Sequence, residues 1–269
     1  MTGAPASSAR AASSARAASS ARAASSARAA SSARVVAVLG ASQGIGRAIA
    51  ARSVADGDRV VMVARTAAAL ASARTELDPD GTRTLIVPCD IGRPDAPERI
   101  ADAATRRFGE SPSVVVHSAG VFLPGRPAEV DDGELELVFH RNVVRTVSVV
   151  RRLVAMRSRV EGHIVVINST AGLRLHPVNP VYSATMMALR SMTDALRNEL
   201  NPTGVRVTSV FAGRTDTPML HEVLEHENAA FDPARALRPV DVADAVAAVM
   251  AVSDWAEITE VVVRPMRAA

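Results

Sequence analysis

Hydrophobic positions along the chain fall into short, dense runs of β-branched residues. Between these runs lie longer stretches in which apolar residues recur every three or four places. The run "RVVAVLG" (34–40) closes on a glycine, and residues 44–58 follow with helical periodicity and a glycine stop. The same alternation then repeats. Strands are predicted over 59–65, 82–90, 112–120, 162–172, 204–213 and 259–265. Helices are predicted over 66–77, 97–109, 133–159, 182–200 and 240–252, with a "DPDG" turn at 78–81 and a lid-like region over 215–227. Short apolar strands joined by helices imply parallel pairing, right-handed crossovers and helices on both faces. The expectation is a single doubly wound α/β domain of Rossmann-like type, with a mostly parallel seven-stranded sheet. In such sheets ligands bind beyond the carboxyl ends of the strands, so residues at strand ends carry the most information.

The first 33 residues stand outside this pattern. From Ser7 they repeat Ser-Ser-Ala-Arg-Ala-Ala, with copies starting at 7, 13, 19 and 25, and hold no large apolar side chain after Met1. Such a segment cannot bury enough surface to offset chain ordering and is expected to be disordered, with the folded domain spanning 34–269. Arg10, Arg16, Arg22, Arg28 and Arg34 belong to this repeat. Without these five, the 31 basic residues fall to 26 against 28 acidic ones, so the basic character belongs partly to the tail. A basic tail touching an anionic partner and a mitochondrial-type presequence both fit that composition. Nucleic-acid binding by the fold is not expected, because aromatic residues make up only 3% of the chain and offer few stacking platforms. No apolar run reaches the roughly 20 residues that span a bilayer, and the protein reads as soluble and cytoplasmic. One cysteine, Cys89, and six scattered histidines give no expectation of a metal site.

Chemistry concentrates at the strand ends. "GASQGIG" (Gly40, Ser42, Gln43, Gly44, Ile45, Gly46) follows the first strand and opens the first helix. Close approach of backbone to a pyrophosphate needs residues without bulky side chains, and the helix N-terminus supplies oriented amides. After the second strand the chain has Ala64 and Arg65, with no nearby acid. A carboxylate there would hold an adenosine ribose, whereas an arginine accommodates an extra phosphate, so NADP(H) is expected over NAD(H). Arg65 is also compatible with an ordinary solvent-exposed helix start. Asp90 ends the third strand, where it could accept from an adenine amino group, and Ala119 and Gly120 in "HSAG" let a cofactor pass close to the fourth.

With these segments in place, the chain resembles the short-chain dehydrogenase/reductase family, in its short-subunit branch, over about residues 35–266. By this resemblance "GASQGIG" is the glycine-rich loop, Asp90 the adenine-contacting acid, Asn142 the active-site asparagine, Ser169 the catalytic serine and Tyr182 the catalytic tyrosine. Thr217 then bonds the nicotinamide carboxamide. The interval of 13 between Ser169 and Tyr182 matches the family. Taken singly, these three would be a helix residue, a strand-end serine and a helix-start aromatic; their joint spacing carries the reading. The resemblance implies hydride transfer with nicotinamide while Tyr182 exchanges a proton with a carbonyl or alcohol oxygen held by Ser169. It also implies a homodimer or homotetramer built on helices 134–156 and 182–200.

The resemblance breaks at residue 186. The family places a lysine four residues after the tyrosine, where it favours proton exchange and bonds the nicotinamide ribose; this chain has Met186. Positions four apart share a helix face, so Met186 is expected in the Tyr182 pocket as uncharged filling among Met187, Leu189, Met192 and Leu196. Arg190, two turns on, and Arg174 and His176, after Ser169, are the candidate replacements. Ala212 in place of a proline before Gly213, and His117 and Ser118 in place of asparagines, are milder departures. The expected function is an NADP(H)-dependent carbonyl reductase or alcohol dehydrogenase acting on a small or medium compound with impaired activity. The alternative is a cofactor-binding protein of the same fold that turns over weakly or not at all, as a pseudoenzyme or regulatory subunit.

Overall fold

The strands alternate sharply. In β1 (Val35–Leu39) every residue is buried, with Val35, Ala37 and Leu39 facing one core and Val36 and Val38 the other. A strand buried on both faces needs a cover on each, and the computed structural model, which describes residues 33–253 and 255–267, supplies it. Seven parallel strands lie in the order β3-β2-β1-β4-β5-β6-β7. The others are β2 (Arg59–Ala64), β3 (Thr84–Pro88), β4 (Val114–His117), β5 (Gly162–Ser169), β6 (Val205–Ala212) and β7 (Glu260–Val263).

One face is covered by α3 (Ala96–Phe108), α5 (Arg145–Ala155) and α6 (Pro180–Leu200), which contribute Ile100, Leu153, Met186 and Leu189. The other face is covered by α1 (Gly44–Ala55), α2 (Ala67–Leu77) and α8 (Pro239–Met250), with Ile49, Leu70 and Val246. This is a single Rossmann-like α/β domain with helices on both sides of the sheet. The strand order reverses between β1 and β4, so the loops after these two strands diverge and leave a crevice at their carboxyl ends.

One element differs from the pattern-based expectation. The long helical region predicted over 133–159 is α4 (Asp132–Phe139), a π-turn (His140–Val144) and α5. Hydrophobic periodicity is too coarse to register the single extra residue of a π-turn. The lid-like region contains a true helix, α7 (Pro218–His226), capped by the Thr217 hydroxyl, which accepts from the Leu220 N–H at 3.3 Å. The Ser/Ala/Arg repeat lies outside the described residues. Among those described, no helix is long and apolar enough to cross a membrane, and no group of three or more His, Cys, Asp or Glu side chains is placed to hold a metal ion.

Candidate active site

At the switch point the β1–α1 loop turns on glycine. Gly40 has φ +90°, and a Cβ there would lie 3.0 Å from the Ala119 nitrogen at the end of β4. Gly44 has φ +54°, and its Cβ would meet the Thr217 methyl at 3.0 Å. The loop, the β4 end and the β6–α7 connection therefore converge with only backbone and small side chains between them. That arrangement suits a flat, anionic dinucleotide. Gly46 acts differently. Its Cβ would sit 2.2 Å from the Gly40 carbonyl oxygen, so the bare glycine lets α1 close on the strand from behind. Gly40, Ser42, Gln43, Gly44, Ile45, Arg65, Asp90, Ala119, Gly120, Asn142, Ser169, Tyr182 and Thr217 line one cavity of about 780 Å³; Gly46 is packed outside its wall.

Asn142 sits in the π-turn, and its amide makes a reciprocal pair with the backbone of Val121. Nδ2 donates to the Val121 carbonyl and Oδ1 accepts from the Val121 N–H, both at 2.9 Å. Nδ2 also donates to Thr185 Oγ1 at 3.2 Å, and Thr185 in turn donates to the Tyr182 carbonyl at 2.8 Å. One buried side chain thus ties the segment after β4 to the helical turn that carries Tyr182 and Met186.

Ser169 ends β5 and its Oγ accepts from the Ala171 N–H at 3.2 Å. Tyr182, the third residue of α6, is the only tyrosine in the chain. Burial pushes its phenol above the ordinary value, and the neighbouring Ser169 hydroxyl acts in the opposite sense. No guanidinium among the described residues adds to either effect.

Met186 occupies the cavity wall beside Tyr182, 5% exposed and packed with Leu189 in the core of that face. Its carbonyl accepts from Asn168 Nδ2 at 3.1 Å. The chain contains no lysine at any position, so a replacement cation has to be an arginine or a protonated histidine. Arg190 is committed elsewhere: it forms a two-point ion pair with Glu260, at 2.9 and 3.2 Å, and lies over the Phe211 ring. Arg174 and His176 do line the cavity. His117 is fully buried in the sheet, and burial lowers its imidazole to about 4, so it is neutral at physiological pH.

Several site residues lacked a sequence signal. Phe122 packs edge-on against Tyr182, ring centres 5.7 Å apart, and against His226 of α7 at 6.2 Å. Glu227, just after α7, pairs with Arg214 at 2.6 Å and accepts from Asn179 Nδ2 at 3.1 Å. These contacts join residues as distant in sequence as Phe122 and His226, and no local periodicity could foretell them.

The short chain dehydrogenase model matches residues 34–228. An uncharacterized oxidoreductase of Staphylococcus epidermidis is 30% identical over 233 residues, covering 86% of this chain and 97% of the relative. Among solved structures, an alcohol dehydrogenase of the archaeon Thermococcus sibiricus, complexed with 5-hydroxy-NADP, superposes with a TM-score of 0.77 at 25% identity, covering 87% of this chain and 97% of the other. A variant of actinorhodin polyketide ketoreductase with NADPH gives 0.78 at 28% identity, over 87% and 96%. Glycine loop, serine–tyrosine pair and matched family model agree over the same residues: the chain belongs to the short-chain dehydrogenase/reductase family.

Proposed function

We propose that this protein is an NADP(H)-dependent oxidoreductase that reduces a small or medium carbonyl compound, or oxidises the corresponding alcohol, at a rate held down by the uncharged side chain at 186. The observation that carries the reading is that Ser169 and Tyr182 line the same cavity as the glycine-rich loop. A bound nicotinamide supplies or accepts the hydride. The residues do the rest: Ser169 holds the substrate oxygen, Tyr182 gives or takes its proton, and Asn142 fixes the turn on which Tyr182 sits. Arg65, exposed at the cavity edge with no ion pair among the described residues, supports selection of the cofactor with the extra phosphate. The two solved structures above also carry NADP-type cofactors. Exposed Leu137, Val144 and Met187, on α4, the π-turn and α6, support association as a homodimer or homotetramer.

The second reading, a cofactor-binding protein with little turnover, is favoured by one observation: Met186 puts an uncharged side chain in the cavity wall beside Tyr182. NADPH oxidation over a panel of carbonyl compounds, by the wild type and Met186→Lys, separates the two. Both proteins are expected to bind NADPH, with the variant about 10- to 1,000-fold faster. Wild-type turnover that the lysine does not improve would mean that another group does its work. No turnover by either protein favours the second reading, and absence of NADPH binding overturns both.

A further inference from the structure

Helix α5 presents two arginines two turns apart to the loop that follows β3. Arg152 donates to the Pro94 carbonyl at 2.7 Å and pairs with Glu98 of α3. Arg145, at the end nearer the cavity, is bound quite differently. A Cβ built on Gly92 would lie 2.0 Å from its Nη1, 2.1 Å from its Cζ and 2.5 Å from its Nε. Three guanidinium atoms at similar distances mean that the group lies against the Gly92 backbone, in space that only glycine leaves open.

Its polar partners are few. Asp90 Oδ1 already accepts from the Gly92 N–H at 2.9 Å and stands 3.8 Å from Arg145 Nη1, an ion pair but not a hydrogen bond. Nε is buried with no partner among the described residues. Arg190 and Arg159, by contrast, each spend two donors on a carboxylate. Packing against Gly92 positions the Arg145 guanidinium, and its hydrogen-bonding capacity is largely unspent. The side chain is 29% exposed and lines the same cavity as Asp90, Ile91 and Arg65.

We propose that Arg145 is a purine-base contact: its guanidinium, set on Gly92 beside Asp90, forms a wall of the subsite that takes the adenine of the cofactor. This rests on the NADP(H) reading above. A guanidinium is planar, weakly hydrated and stacks on aromatic faces, and a purine offers such a face together with ring nitrogens that accept. The adjacent Asp90 carboxylate accepts from the exocyclic amino group, so the pair selects an amino-purine. The neighbouring negative charge also offsets the arginine's own, so the wall suits a neutral base better than a phosphate.

Binding to the full-length protein tests this without reference to turnover. Dissociation constants are measured by calorimetry for NADPH, adenosine 2′,5′-bisphosphate and reduced nicotinamide mononucleotide. Arg145→Leu is expected to weaken the first two by about 10-fold and leave the third unchanged. Arg145→Lys keeps the charge but not the plane, and is expected to lose as much as Arg145→Leu. Gly92→Ala, which evicts the guanidinium without removing it, should reproduce the loss and covers the case in which Arg145→Leu fails to fold. Full rescue by lysine overturns the proposal in favour of a phosphate contact, and unchanged affinity of folded Arg145→Leu for the adenosine bisphosphate also overturns it. Should the wild type bind the adenosine half but not NADPH, the cofactor reading fails while the base contact is still scored on that fragment; binding of neither by the wild type overturns both.

Discussion

At the scale of single residues the site turns on whether Tyr182 can exchange a proton. Half-buried, raised by loss of solvent and with no cation among the described residues acting on it, it holds its proton at neutral pH more firmly than an exposed tyrosine does. A protonated phenol is ready to donate, which serves carbonyl reduction, and has to be deprotonated to act as a base for alcohol oxidation. Oxidation is therefore expected to climb as pH rises toward 10 and beyond, while reduction stays level through neutrality; paired pH–rate profiles check it. Because Tyr182 is the only tyrosine, tyrosinate absorbance reports on it alone. Its midpoint is expected above 10 in the wild type and lower in Met186→Lys; equal midpoints would show that residue 186 does not act on the phenol. Much of this was legible beforehand, since the interval from Ser169 to Tyr182 and the i+4 relation to Met186 are local spacings. The fate of Arg190 was not, because its partner Glu260 lies 70 positions away on β7.

At the scale of elements, two devices hold the site together, and sequence showed only one of them. Asn142 could be placed by motif, but the π-turn that aims it could not, because one inserted residue barely disturbs an apolar periodicity. Replacing Asn142 by alanine leaves the Val121 N–H and carbonyl and the Thr185 hydroxyl without that partner. The cost is expected at about 2–3 kcal/mol in denaturant unfolding, from several polar groups losing their bonds in a buried place. The second device, Glu227 joining Arg214 and Asn179, fastens the end of α7 to the segments after β6 and before α6 along the cavity wall. Glu227→Ala is expected to free α7 and raise KM several-fold with less effect on kcat, since Ser169 and Tyr182 do not touch Glu227. A fall in kcat at constant KM would instead place Glu227 in the proton path.

At the scale of the whole molecule, the layering was readable because each strand declares both its faces, as β1 does by sending Val36 and Val38 one way and Ala37 and Leu39 the other. Strand order was not readable in the same way: parallel neighbours such as β1 and β4 are joined through two intervening units, and only packing decides their adjacency. The sheet also encloses two histidines that a sequence reading has no means of marking as buried. His117 on β4 is lowered to about 4 by burial; His163 on β5 is lowered to about 3 by burial and by the nearby Arg206 and Arg34. His163 Nε2 shares a hydrogen bond with Thr208 at 2.9 Å, and its Nδ1 has no partner among the described residues. Both rings stay neutral in the fold while the unfolded chain protonates them near 6.5, so the unfolded state binds more protons below that value. Stability is consequently whole above about 6.5 and lost as pH falls toward 4, by roughly 1 kcal/mol per pH unit for each histidine. Denaturant midpoints at pH 7.5, 6 and 5 should show that decline, and His163→Gln, which removes the titrating ring and keeps a hydrogen-bonding group for Thr208, should flatten it by about half. A decline that His163→Gln leaves just as steep would assign the acid sensitivity to other groups and show that His163 is free to take a proton in the folded sheet.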